Sequence, residues 1–236
     1  MGKLKTAIAR LLPAPLLRLA FNVRAAIARK EPAKDVFTEI KSVNLWESKE
    51  SLSGPGSELL QTKTLVEELP KVYEMFNIKS VLDIPCGDFN WMRHVACKSK
   101  DVAYHGADIV EELVIENSTK YGTGNISFSV LDIISDRLPS VDMVFVRDCL
   151  VHLSYKDIKL AIENIRKSGS KYLMATTFYA RRKNHDIITG KWRPLNMQGK
   201  PFRFPEPEFV LVENCTEGDG KYQDKAMGLW LVEAIP

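Results

Sequence analysis

The segment Ser80-Val-Leu-Asp-Ile-Pro-Cys-Gly-Asp-Phe-Asn-Trp91 constrains the fold of this chain more than any other stretch. A short apolar run ends on Asp83, crosses a tight Pro85-Cys86-Gly87-Asp88 turn and opens onto residues with helical spacing. That order predicts strand, turn and helix. At the carboxyl end of a parallel strand the main chain swings away, and the next helix presents N–H groups without intrahelical partners. A polar hollow forms there by construction. A glycine at position 87 lets the backbone approach a ligand closely, and a strand-end carboxylate such as Asp83 can accept hydrogen bonds from it. The turn lacks the full Gly-x-Gly-x-x-Gly needed for close approach to a pyrophosphate, which argues against a dinucleotide fold.

The same strand-end pattern recurs downstream. Residues 102–108 read as a second strand whose last residue, Asp108, is placed to accept both hydroxyls of a ribose. Residues 126–131 read as a third strand, followed by Asp132 and Ile133. Residues 141–146 and 171–177 supply apolar fourth and fifth strands, as buried parallel strands should be. Helices are expected over 58–76 with Ser57 as N-cap, from Trp91, over 111–121, and over 154–166 with Ser154 as cap. Two strand-like runs, 209–214 and 229–234, close the chain. The pattern is that of an α/β sheet with helices between its strands.

The fourth strand runs into Arg147-Asp-Cys-Leu-Val-His-Leu153. If a helix starts near Cys149, Asp148 and His152 are four apart and stack on one side, so that one orients the other. Histidine is the side chain best suited to take a hydroxyl proton near neutral pH. The bland alternative for His152 is a structural histidine. Residues 178–207 show no clear period, and a loop of that length in a compact domain is commonly functional. Its polar candidates for an acceptor are Asn184, Arg193 and Asn196, with Trp192 as an apolar wall and Trp91 as a further contact. Residues 35–62 hold Trp46 and a Gly54-Pro55-Gly56 run, read either as a linker or as a lid with Trp46 as its plug.

Composition sets the outer limits. At 236 residues, 45% apolar and 27% charged, the chain suits one main domain, 35–236, preceded by an arm, 1–34. Residues 1–30 carry seven of the 33 basic residues and no acid, leaving 26 basic against 30 acidic residues beyond them. The body is mildly acidic, so no nucleic-acid surface is expected. Wound as a helix, residues 16–30 are amphipathic and basic. They could lie on an anionic membrane surface, form a cleaved transit segment or pack on the domain. No run is long enough to span a bilayer. Four scattered cysteines indicate neither a zinc site nor a disulfide framework, and a reducing, cytoplasmic setting fits them.

The turn at 83–89 resembles motif I of the class I S-adenosylmethionine (SAM) dependent methyltransferases. Asp83 matches the motif's acid and Gly87 its central glycine, while Pro85 and Phe89 stand at flanking glycines. The resemblance runs from about Thr62 to the C terminus. It implies a Rossmann-like, mostly parallel sheet of seven strands with a C-terminal antiparallel pair, behind an N-terminal helical extension. It also implies SAM as cofactor, contacted by Asp83, Pro85, Gly87, Asp88 and Arg147. Asp108 would hold its ribose, Ile109 face its adenine, Asp132 meet the adenine amino group and Ile133 pack on the ring. In that arrangement the lid's Gly-Pro-Gly backbone would lie near the methionine carboxylate, and Asp148 and His152 would be catalytic. The combination of Ser53-Gly-Pro-Gly-Ser57, Pro85-Cys-Gly-Asp-Phe-Asn-Trp-Met92, Arg147-Asp-Cys-Leu-Val-His-Leu153 and Thr189-Gly-Lys-Trp-Arg-Pro-Leu-Asn196 looks like a microbial and viral group associated with glycan and surface-polysaccharide assembly. That implies O-methylation of a sugar hydroxyl in a glycan or glycolipid. The alternatives are an N- or small-molecule methyltransferase, and a SAM-binding scaffold without catalysis.

Overall fold

The computed structural model describes residues 32–236. The basic segment 16–30 lies outside them. Seven strands form one sheet: β1 (Ser80–Asp83), β2 (Ala103–Asp108), β3 (Ile126–Val130), β4 (Met143–Val146), β5 (Tyr172–Phe178), β6 (Phe209–Val212) and β7 (Lys225–Leu231). Their order is β3-β2-β1-β4-β5-β7-β6. The first five are parallel, and β7 runs antiparallel to both β5 and β6. This is the expected architecture. Strand order reverses between β1 and β4, and the crevice outside their carboxyl ends is where such a sheet takes ligands.

Successive residues of the central strands alternate between two buried apolar clusters. Leu82, Val144, Val146 and Leu173 join one cluster, and Val81, Met143, Phe145 and Met174 join the other. Side chains in a strand point alternately to opposite faces, so an all-apolar strand can bury both. On one face lie α2 (Leu59–Met75) and α3 (Met92–Lys98), through Leu65, Leu69, Val72, Met92 and Val95. On the other, α5 (Tyr155–Lys167) contributes Ile158, Ala161, Ile162 and Ile165. Between β2 and β3, α4 (Glu111–Tyr121) buries Leu113 and Val114. Ser154 caps α5, accepting the Asp157 N–H at 3.2 Å.

Three local expectations change. Residues 33–42 form a helix, α1 (Ala33–Ser42), which buries Val36 and Ile40 one turn apart. Ser57 is not the cap of α2; it sits in a short 3-10 turn, Pro55–Ser57, and Glu58 takes the cap position without a side-chain cap. The first N–H of that helix, Leu59, donates instead to Glu50 Oε1 at 2.8 Å. The last strand begins at Lys225, four residues before its apolar run, because Lys225 is buried and ion-paired rather than solvated.

Candidate active site

Asp83 and Asp108 end adjacent parallel strands, and Asp132 follows the next, so the sheet carries all three carboxylates to one edge. There they line a single pocket. Asp83 is buried and accepts the Tyr104 hydroxyl at 2.6 Å. Burial pushes its carboxyl up to about 7, against the pull of that bond. Asp108 is buried too, one oxygen accepting the Val110 N–H at 2.9 Å and the other the Gly87 N–H at 3.0 Å. Burial raises it to about 6, the backbone N–H groups of Val110, Gly87 and Ile109 opposing. Asp132 is more open. Its oxygens accept the Ile134 N–H and the Ser135 hydroxyl at 2.8 and 2.9 Å, so it caps its own turn while facing the pocket. Ile109, Leu131, Ile133 and Ile134 supply apolar wall beside these acids.

Pro85, Gly87 and Asp88 line the same pocket, and the N-terminal segment closes on Gly87 and Asp88. Asp88 accepts the Leu52 N–H at 2.7 Å and the Ser51 hydroxyl at 3.0 Å. Gly87 has φ +56°, and a Cβ there would sit 2.0 Å from Ser53 Oγ. The close approach this glycine permits is therefore that of a strap, residues 45–57, closing over the turn. The strap is continuous with α1, whose Lys41 pairs with Glu112 on α4. Ala33, Phe37 and Lys41 of α1 and Trp46, Leu52, Ser53 and Ser57 of the strap complete the pocket wall.

Arg147, Asp148 and His152 line the same pocket. No helix starts at Cys149: Leu150–His152 is a 3-10 turn, and Asp148 has φ +51°. The expected Asp148–His152 orienting pair is therefore replaced by other contacts. Asp148 pairs with Lys225 at 2.6 Å and with Arg147 at 3.4 Å. Burial alone would raise its carboxyl, but these two cations outweigh burial and hold it at about 2. Arg147 also binds Glu213 at 2.8 Å, and Lys225 lies 3.6 Å from Glu213, so two cations and two anions share one buried cluster. Arg147 donates to the Gly56 carbonyl at 2.8 Å, fixing the strap, and rests over Trp91 at 5.3 Å. Trp91 is buried against Phe145, so at the pocket edge it carries Arg147 rather than presenting an open face.

His152 Nδ1 lies 3.0 Å from the Lys191 carbonyl. A carbonyl only accepts, so Nδ1 carries the proton and Nε2 is left as the acceptor. Phe37 and Trp46 pack on the imidazole at 6.5 and 5.3 Å. Burial lowers it to about 4, Asp148 acting in the opposite sense, and it is neutral at pH 7. Cys86 and Cys149 also line the pocket; burial pushes both thiols up, which keeps them protonated.

In the loop that follows β5, three of the expected acceptor contacts are occupied with backbone carbonyls. Arg193 is 1% exposed, and its guanidinium donates to the carbonyls of Leu150, Leu153 and His185. Asn184 donates to the Asn196 and Lys200 carbonyls, and Asn196 to those of Tyr179 and Arg181. All three hold the loop in shape. Trp192 is different: it is 41% exposed and packs edge-on against Tyr222 and Phe178.

Sequence reasoning missed Phe37, Ser53, Glu213 and Lys225. The Val36/Ile40 and Phe37/Lys41 spacing of α1 was a usable helical signal. No local pattern marks Glu213 or Lys225, whose partners are distant in sequence. Among the described residues no cluster of three or more His, Cys, Asp or Glu is arranged to hold a metal ion. Among the same residues, no helix is long and apolar enough to cross a membrane.

No protein-family model and no curated protein matches the chain. Among solved structures it is similar to TnmH, with TM-score 0.53 and 11% identity over 72% of this chain and 54% of that one. It is also similar to an O-methyltransferase family protein from Burkholderia thailandensis, with TM-score 0.51 and 12% identity over 72% and 53%. A more distant likeness is to the N-methyltransferase NodS from Bradyrhizobium japonicum WM9 in complex with S-adenosyl-L-homocysteine, with TM-score 0.47 and 16% identity over 63% and 74%. The chain spans about half the length of the first two. Strand order, the antiparallel terminal pair and the first two likenesses agree that the chain has the Rossmann-like fold of the class I methyltransferases.

Proposed function

We propose that the chain is a SAM-dependent O-methyltransferase acting on a hydroxyl of a sugar in a glycan or glycolipid. The observation that carries the methyl-transfer reading is the convergence of Asp83, Asp108 and Asp132 on one pocket at the switch point of the sheet. The residues fit the cofactor. Asp108 is a buried carboxylate with acceptor capacity beyond its two N–H bonds, suited to a ribose. Ile109 and Ile133 give an apolar slot for a purine, with Asp132 at its edge. The cofactor would supply a sulfonium-activated methyl group, so the protein chiefly aligns the acceptor oxygen and excludes water.

Alignment falls to the strap and to the Arg147–Asp148 turn, which the Arg147 bond to Gly56 joins. Of the two polar groups facing the reacting end, Asp148 is held ionised by Lys225 and Arg147, which makes it a weak base and a good acceptor for an orienting hydroxyl hydrogen bond. His152, neutral and with Nε2 bare, takes the proton as the new bond forms. The sugar assignment is supported by the glycan-associated motifs of the sequence and by the exposed Trp192, which follows the residue whose carbonyl holds His152.

Three measurements test this. Calorimetry should show that the purified protein binds SAM and S-adenosyl-L-homocysteine; indifference to both would overturn the reading. Mass spectrometry on a glycan panel should show gain of one methyl group. The His152→Ala variant should lower kcat roughly 100-fold, as loss of a positioned proton acceptor does, and leave SAM affinity nearly unchanged.

A further inference from the structure

Asn184, Arg193 and Asn196 spend their donors on backbone carbonyls, and the structure gathers a second set of groups at this end of the molecule. Trp192 and Tyr222 meet with ring centroids 5.0 Å apart and both pack on Phe178, at 6.1 and 6.0 Å. Trp192 stays 41% exposed, forming an open aromatic ledge. Each half of the ledge is tied to a reacting-end group. The residue before Trp192, Lys191, supplies the carbonyl that holds His152 Nδ1. The Tyr222 carbonyl accepts the N–H of Lys225, whose ammonium holds Asp148 at 2.6 Å.

The ledge is also locally cationic on an otherwise acidic body. Residues 179–193 contain five Arg or Lys and one acid, Asp186, whose carboxylate accepts the backbone N–H groups of Tyr155 and Ile187. Arg193 is buried, but Arg182, Lys183 and Lys221 are exposed, and Arg181 lies with its guanidinium 6.0 Å from the Tyr222 ring. An exposed ring stacks on the C–H face of a sugar. A guanidinium fork beside it matches a carboxylate or phosphate, whereas a neutral sugar would leave that charge unanswered.

Resting on the methyl-transfer reading above, we propose that the acceptor is an acidic sugar unit, bearing carboxylate or phosphate, which stacks on Trp192 and Tyr222 with its anionic group on Arg181 and Arg182.

The test uses the full chain saturated with S-adenosyl-L-homocysteine, whose binding is measured first. Glucuronate, glucose 6-phosphate and glucose are then titrated by saturation-transfer NMR at low and high salt. The acidic sugars should bind roughly tenfold tighter than glucose, the effect of one charge-assisted hydrogen bond. Salt should shrink the preference. Glucuronate against glucose 6-phosphate decides between carboxylate and phosphate. Arg181→Gln, at a side chain that meets the Tyr222 ring and the Lys221 carbonyl, should erase much of the preference while S-adenosyl-L-homocysteine binding persists. Trp192→Ala should weaken all three sugars. Equal binding of charged and neutral sugars, binding of none, or a preference untouched by Arg181→Gln would overturn the proposal. Loss of S-adenosyl-L-homocysteine binding by the unaltered protein would instead overturn the methyl-transfer reading itself.

Discussion

Gly87 meets two demands at once. Its φ of +56° disfavours any Cβ, and the strap's Ser53 Oγ occupies the space a Cβ would need. Gly87→Ala is therefore expected to cost about 1 kcal/mol or more of stability from the backbone alone. It should also lower S-adenosyl-L-homocysteine affinity by displacing the strap. Removing the obstructing side chain with Ser53→Gly should restore part of the affinity but not the backbone loss, and a double-mutant cycle by calorimetry and urea unfolding separates the two. Phe89 shows the opposite balance. It takes φ +56° without being glycine, yet its ring is buried among Tyr104, Tyr121 and Phe128 at 5.0 to 5.2 Å. Burying a Phe contributes about 2–3 kcal/mol, more than a left-handed backbone costs, so an aromatic can stand where the motif has glycine. His152 carries the second residue-scale prediction. Because burial lowers its imidazole to about 4, its neutral form is complete well below pH 6. The kcat profile should be flat from about pH 6 to 8; a limb at the ordinary histidine value would contradict the assignment.

At the scale of elements, strand ends were legible in the sequence because the signal is local: an apolar run followed at once by an acid, three times over. The strap and the loop after β5 were not, because their shape depends on contacts between distant positions. Asp88 reaches Ser51, 37 residues away, and Arg193 reaches Leu150 and Leu153 across 43 and 40. A charged residue in a polar loop reads as solvated until the fold shows its carbonyl partners. Arg193→Met tests how far the loop hangs on one side chain. It would leave the Leu153 and His185 carbonyls without the donor they have here and remove one of two from Leu150, at a cost of about 2–4 kcal/mol. Hydrogen exchange should rise in residues 184–200 with the sheet unaffected. Arg193→Lys should rescue little, since an ammonium cannot reproduce the fork that reaches several carbonyls. Equal protection in Arg193→Met and the unaltered chain would show the loop to be held by the asparagines instead.

At the scale of the whole molecule, Asp83 and Asp108 are buried pocket acids held above their ordinary values by the sheet that surrounds them. Asp83 at about 7 and Asp108 at about 6 lie above the unfolded carboxylate value, so the folded chain binds more protons than the unfolded one between about pH 4 and 7. Their contribution to stability is complete below about pH 4 and is lost as pH rises through 6 and 7. A ligand that donates ribose hydroxyls to Asp108 and brings a cationic centre near Asp83 selects the ionised forms. Its binding must expel the protons that folding retained. Affinity for SAM should therefore rise with pH by roughly tenfold or more between pH 5 and 7, since each unit below a pKa costs one factor of ten per proton released. The rise should level off above about 7.5. Calorimetry in buffers of differing ionisation enthalpy should detect proton release on binding at pH 6 and little at pH 8. Asp108→Asn, which cannot ionise, should bind weakly and lose the part of the pH dependence centred near 6, leaving the part set by Asp83. A SAM affinity that is level from pH 5 to 8 would mean that these carboxylates do not face the ligand.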